Sequence, residues 1–90
     1  MRQIREHMVF TGRVQGVGFR YKICRLARHY GVTGWARNDY DGSVEAELQG
    51  TRENIDLVIR GLRDDAYIVI DWIARDPMEL KQENGFQIRG

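Results

Sequence analysis

One cysteine, one proline and two histidines are all that 90 residues contain of these types, and 14 Lys and Arg against 13 Asp and Glu leave a formal charge of +1. Cys24 cannot close an internal disulfide, which points to a reducing compartment and makes the cytoplasm the default location. His7 and His29 have no metal-ligand spacing to each other or to Cys24, so neither a metal nor another cofactor is expected. Charges this evenly matched create no global field to recruit nucleic acid or an anionic membrane, and any affinity for an anion has to be local. No apolar run is long enough for a membrane span, and Met1-Arg2-Gln3-Ile4-Arg5-Glu6 lacks the apolar core of a signal peptide. Linkers, low-complexity tracts and short repeats are also lacking, so residues 1–90 read as one domain with a single modest core and, by default, a monomer. Pro77 sits late, in a polar turn region.

What the chain does have is a clear succession of periods. From His7 to Gly12, Met8 and Phe10 fall on one face and Val9 and Thr11 on the other, as in a strand. Phe19, Ile23, Leu26, Ala27 and Tyr30 then recur at helical spacing, opposite Lys22, Arg25 and Arg28, and Gly31 suits the helix stop. Trp35 to Asn38 reads as a short strand. Val44, Ala46 and Leu48 alternate with Glu45, Glu47 and Gln49 in another, whose acids are expected on a solvated outer face. Asp41-Gly42 between them signals a tight hairpin turn. Thr51 is the expected N-cap of a second helix with Ile55, Val58, Ile59 and Leu62 on its buried stripe. Tyr67 to Ala74 is the next strand, its near-continuous apolar character leaving the register open, and Phe86 to Arg89 offers a short last one. The order β-α-β-β-α-β predicts an α+β sandwich of the ferredoxin-like kind, an antiparallel sheet with two helices on one face. Such a fold hosts enzymes, RNA binders and metabolite sensors, so the function has to come from a site.

The candidate site lies at Gly12-Arg13-Val14-Gln15-Gly16-Val17-Gly18-Phe19-Arg20, between the first strand and the first helix. Glycine tolerates positive φ and close approach, so a loop rich in it can turn several N–H groups inward to form an anion nest. A helix opening near Phe19 adds its unpaired amides and the positive end of its dipole. Arg20 adds a planar cationic fork suited to two phosphate oxygens. A cation at a helix start is unfavourable unless an anion sits there, which favours the phosphate reading over a plain solvated turn. No Gly-Lys-Ser/Thr closes the segment and the glycine spacing is not that of a dinucleotide fingerprint, so neither ATP nor NAD is suggested.

Gly12 to Arg20 resembles the signature loop of the acylphosphatase family, and Gly34-Trp35-Ala36-Arg37-Asn38-Asp39-Tyr40-Asp41-Gly42-Ser43-Val44 resembles that family's second signature, in the same order and at the same separation. Tyr21 to Thr33 and the ending Gly85-Phe86-Gln87-Ile88-Arg89 are also similar. Arg63-Asp64-Asp65 stands where many relatives carry a Gly-Pro-rich turn. The resemblance implies a hydrolase that splits a small-molecule acyl phosphate into a carboxylate and inorganic phosphate, with phosphate or sulfate as a product-like ligand. It also implies the roles. Amides of Gln15, Gly16, Val17, Gly18, Phe19 and Arg20 would bind the phosphate, the Arg20 guanidinium would neutralise charge, and the Asn38 carboxamide would hold the attacking water. The acyl group itself is not indicated.

The remaining residues read more plainly. Cys24, inside the first helix, is a packed thiol rather than a phosphatase nucleophile. Trp35 and Trp72 are core or sheet-face aromatics, Arg13 is a rim charge, and Gln15 contributes its N–H more readily than its side chain. An RNA-binding reading would rest on Gly16-Val17-Gly18-Phe19-Arg20-Tyr21, but Phe19 and Tyr21 fall at a loop and helix start rather than on a sheet strand. A non-hydrolysing phosphate-binding module is the other alternative.

Overall fold

A computed structural model describes residues 2–90 of the chain. The elements are β1 (Gln3–Arg13), α1 (Phe19–His29), β2 (Thr33–Asn38), β3 (Val44–Thr51), α2 (Arg52–Arg63), β4 (Val69–Met78) and β5 (Phe86–Arg89). They build a five-stranded sheet in the order β4-β1-β3-β2-β5. β1 runs antiparallel to β3 and β4, and β2 antiparallel to β3. β5 pairs parallel with β2, so the ferredoxin-like antiparallel sheet becomes mixed at that edge.

Alternation decides the layers. Met8 and Phe10 of β1 lie opposite Ala46 and Val44 of β3, and all four are buried with Ile23 and Ala27 of α1 and Ile55, Val58, Ile59 and Leu62 of α2. Both helices therefore pack on one sheet face. Thr51 caps α2 as its sequence suggests, its Oγ1 accepting from Asn54 N at 3.2 Å; such a cap stabilises a helix by about 1 kcal/mol. In the turn after α2, Asp65 takes over the local bonding, its Oδ1 accepting from Tyr67 N at 2.8 Å.

Two expectations change, and one left open between two readings is decided. Pro77 lies within β4, opposite Glu6, and not in a turn; β4 is an edge strand, the place in a sheet where proline is accommodated. Trp72 faces outward on that strand and is 69% exposed, so it is a sheet-face residue and no part of the core. Glu45 and Glu47 do share the face away from the helices, yet neither is simply solvated: Glu45 is half-buried against His7 and Arg37, and Glu47 is buried. Residues beyond β4 fold over that face, and Glu47 is 7% exposed between Arg5 and Lys81.

The register of β4 follows from a bulge. Thr11 opposes Trp72 but Gly12 opposes Ile70, which leaves Asp71 as the extra residue. Gly12 has φ +126°, and a Cβ there would lie 2.2 Å from Val69 O. The bulge thus re-aims the chain where β1 hands over to the glycine loop.

Candidate active site

Two buried aromatics flank the loop. Phe10 lies near the end of β1, Phe19 opens α1, and their ring centroids lie 5.0 Å apart in the core. Burying a Phe stabilises by about 1.5–3 kcal/mol, so both ends of the loop are held by packing. Between them Val14 is buried and Val17 packs against the core, while Gly16 and Gly18 take φ of 72° and 78°. Apolar side chains pointing in, alternating with left-handed glycines, give a loop whose backbone approaches the surface without side chains over it.

The start of α1 differs from that of α2. Gly18 is its N-cap, no side chain caps it, and its first turn holds no acid. Among the described residues, the N–H groups from Gln15 to Arg20 make none of the turn or cap bonds. Unpaired amides and a helix dipole together favour an anion there. Arg20, in the first turn, reaches the end of β5, its Nη1 donating to Arg89 O at 3.4 Å. That long bond to a neutral carbonyl leaves most of its donors free.

Asn38 ends β2 opposite Val44. The turn that follows joins β2 and β3 as the hairpin that Asp41-Gly42 suggests, through a five-residue loop built around a tight turn. Gly42 N donates to Asp39 O at 3.1 Å and Asp39 N to Ser43 O at 2.9 Å. Asp41 Oδ1 accepts from both the N–H and the hydroxyl of Ser43, at 3.0 and 2.6 Å. These two bonds hold the Asp41 carboxyl below its ordinary range. The turn is stabilised without the Asn38 carboxamide, which stands at the pocket instead.

That pocket, about 170 Å³, is lined by Val14, Gly16, Gly18, Phe19, Arg20, Tyr21 and Asn38. Five of the predicted site residues, Gly16, Gly18, Phe19, Arg20 and Asn38, thus converge although Gly16 lies in the loop before α1 and Asn38 at the end of β2. Gln15 and Val17 do not line it: Val17 packs inward, and the Gln15 side chain turns to the β2–β3 loop. Val14 and Tyr21 join the lining although sequence reasoning gave them no role. A larger cavity of about 540 Å³ adjoins it at Tyr21, lined also by Lys22, Cys24, Arg25, Arg28 and Ile88. It includes neither the glycines nor Asn38, so size does not identify the site; the chemistry of the smaller pocket does.

A family model described as acylphosphatase matches residues 6–88. The chain belongs to the acylphosphatase family. An acylphosphatase of Trichormus variabilis is 51% identical over 88 residues, covering 96% of this chain and 86% of that protein. One of Bifidobacterium longum is 51% identical over 59 residues, and there the match spans 66% of this chain but only 61% of the relative's length. The crystal structure of acylphosphatase from Bacillus subtilis superposes with a TM-score of 0.88 at 26% identity, over 97% of this chain and 99% of that one.

Several features set this acylphosphatase family member apart from other users of the fold and of phosphate. Phe19 is 2% exposed and cannot stack a base. Trp35 lies on the sheet face beneath the guanidinium groups of Arg37 and Arg89, 5.6 and 4.7 Å from its ring centroid. Cys24 is buried, with its thiol 3.6 Å from Phe86 O, as a packed residue would be. His7 bonds Glu45 and His29 lies against Tyr30. Among the described residues no three His, Cys, Asp or Glu side chains converge as a metal site, and no helix is long and apolar enough to cross a membrane.

Proposed function

We propose that the chain hydrolyses small acyl phosphates to a carboxylate and inorganic phosphate, with Arg20 and Asn38 as its catalytic residues. The supporting observation is the convergence of Arg20, Asn38 and the loop glycines on one small pocket at an uncapped helix start. The leaving carboxylate is a weak base and departs without strong acid help, so the protein chiefly holds the phosphate, stabilises its charge and orients water. Main-chain amides from Gln15 to Arg20 receive the phosphate oxygens, and the Arg20 fork neutralises charge that spreads over them in the transition state. Asn38 holds the attacking water through its carboxamide. Because a neutral amide is a poor base, the substrate phosphate takes the water's proton. None of these roles draws on a metal or another cofactor.

The test uses benzoyl phosphate with a chelator present, comparing the parent with Arg20→Ala and Asn38→Ala. Parent turnover is expected to survive chelation, and each variant is expected to lose about 100-fold or more in kcat/KM while remaining folded. Arg20→Ala should also weaken competition by inorganic phosphate, whereas Asn38→Ala should leave it nearly intact. The reverse pattern would overturn this division of roles, and full activity in both variants would overturn the site.

A further inference from the structure

We infer that the Gln15 side chain is a positioning brace that sets the distance between the phosphate loop and Asn38. This inference rests on the catalytic reading of Asn38 given above. The Gln15 Nε2 donates to Asp39 O at 2.6 Å and to Ser43 O at 2.8 Å. A carboxamide has two N–H donors, so both are used here and neither is left for a phosphate oxygen. The two carbonyls are the ones that also accept Gly42 N and Asp39 N, the bonds that define the turn. Asp39 directly follows Asn38 and Ser43 directly precedes Val44, its strand partner. Gln15 therefore grips both arms of the hairpin on the turn side of the Asn38–Val44 pair.

The sheet order explains why such a brace is needed. β1, which leads into the loop, and β2, which carries Asn38, are separated by β3, so no backbone ladder joins them directly. Two strand spacings amount to about 9–10 Å, and the Gln15 side chain crosses part of that gap by bonding the β2–β3 loop. Without the tie, the loop and the end of β2 are aligned only through β3 and the core. Water held by Asn38 has to lie in line with a phosphate seated on the loop, and displacement of reacting groups by about 1 Å can lower a rate roughly 100-fold. Gln15 acts on the reaction through Asn38, without touching substrate through its side chain.

The experiment is a double-mutant cycle with Gln15→Met, which keeps the length and removes both donors, alone and combined with Asn38→Ala. Gln15→Met is expected to lower kcat on benzoyl phosphate about tenfold or more while changing inhibition by inorganic phosphate less than about twofold. In the Asn38→Ala background the same change should cost little further rate. Amide hydrogen exchange at Asp39 and Gly42 should quicken in Gln15→Met, with the rest of the chain unchanged. A loss of phosphate affinity in proportion to kcat, or a full multiplicative loss in the double variant, would overturn the inference. So would unchanged exchange at Asp39 and Gly42. A parent inactive on benzoyl phosphate would overturn the acyl phosphate reading instead, while exchange would still decide whether Gln15 holds the turn.

Discussion

Arg5 and Glu47 sit diagonally across the β1–β3 pair, and Nε and Nη2 of the arginine both donate to Glu47 Oε1, at 3.0 and 2.8 Å. Arg5 is 1% exposed, although it lies on the sheet face away from the helices. Glu83 and Gln49 accept from its Nη1, and Lys81 adds a further bond to Glu47 at 3.2 Å. A buried guanidinium this fully bonded fixes the segment beyond β4 against the sheet.

Removing one partner leaves a buried charge short of compensation. Glu47→Ala is expected to destabilise the fold by about 3 kcal/mol, with Glu83 limiting the loss. Urea denaturation followed by far-UV circular dichroism would measure it. A change below about 0.5 kcal/mol would show that the pair behaves as an exposed one.

Acid should weaken the same face. The bond to His7, aided by Arg37, holds the Glu45 carboxyl below its ordinary value of 4.5. Burial opposes ionisation of Glu47, but the bonds from Arg5 and Lys81 outweigh it and its carboxyl is also lowered. Groups with depressed folded pKa values give their full stabilisation above the unfolded value and lose it as pH falls through the folded one. Unfolding free energy should therefore hold near neutrality and decline below the ordinary carboxylate range. Glu45→Gln should flatten that decline, and an unchanged slope would contradict the assignment.

The loop glycines should separate by their surroundings. Gly12→Ala meets Val69 O as well as an unfavourable φ, so it should disrupt the bulge and destabilise the whole fold. Gly18→Ala meets nothing within 4 Å and carries only the strain of φ +78°, about 1–2 kcal/mol. A thermal melt should show the larger drop for Gly12→Ala.

Arg20→Lys keeps the charge and loses the planar fork. Phosphate inhibition is expected to weaken only modestly, while kcat falls about tenfold or more because two oxygens can no longer be held together. Parental kcat in this variant would mean that a point charge suffices.

Legibility followed sequence distance. The stripes Phe19-Ile23-Ala27 and Ile55-Val58-Ile59-Leu62, the Thr51 cap and the strand alternation at Met8 and Phe10 are local, and each appears where its period places it. The candidate site was legible because Gly16, Gly18, Arg20 and Asn38 occupy two continuous signatures. Arg5 could not be read in the same way, since its partners Glu47 and Glu83 lie 42 and 78 positions away. Gln15 and Pro77 carried no local cue to a brace or an edge strand.

The order of apolar and polar residues was enough to determine the two helices with their buried stripes, the inward face of β1 and β3 and the glycine-arginine loop, but not the bounds or register of β4, because the former depend on backbone geometry over a few neighbours. The tertiary structure decided which strands became neighbours, and with them the parallel β5 edge, the buried charge at Arg5 and the Gln15 tie across β3. Those contacts join residues whose separation along the chain gives no periodic signal, so they exist only once packing has brought the strands together.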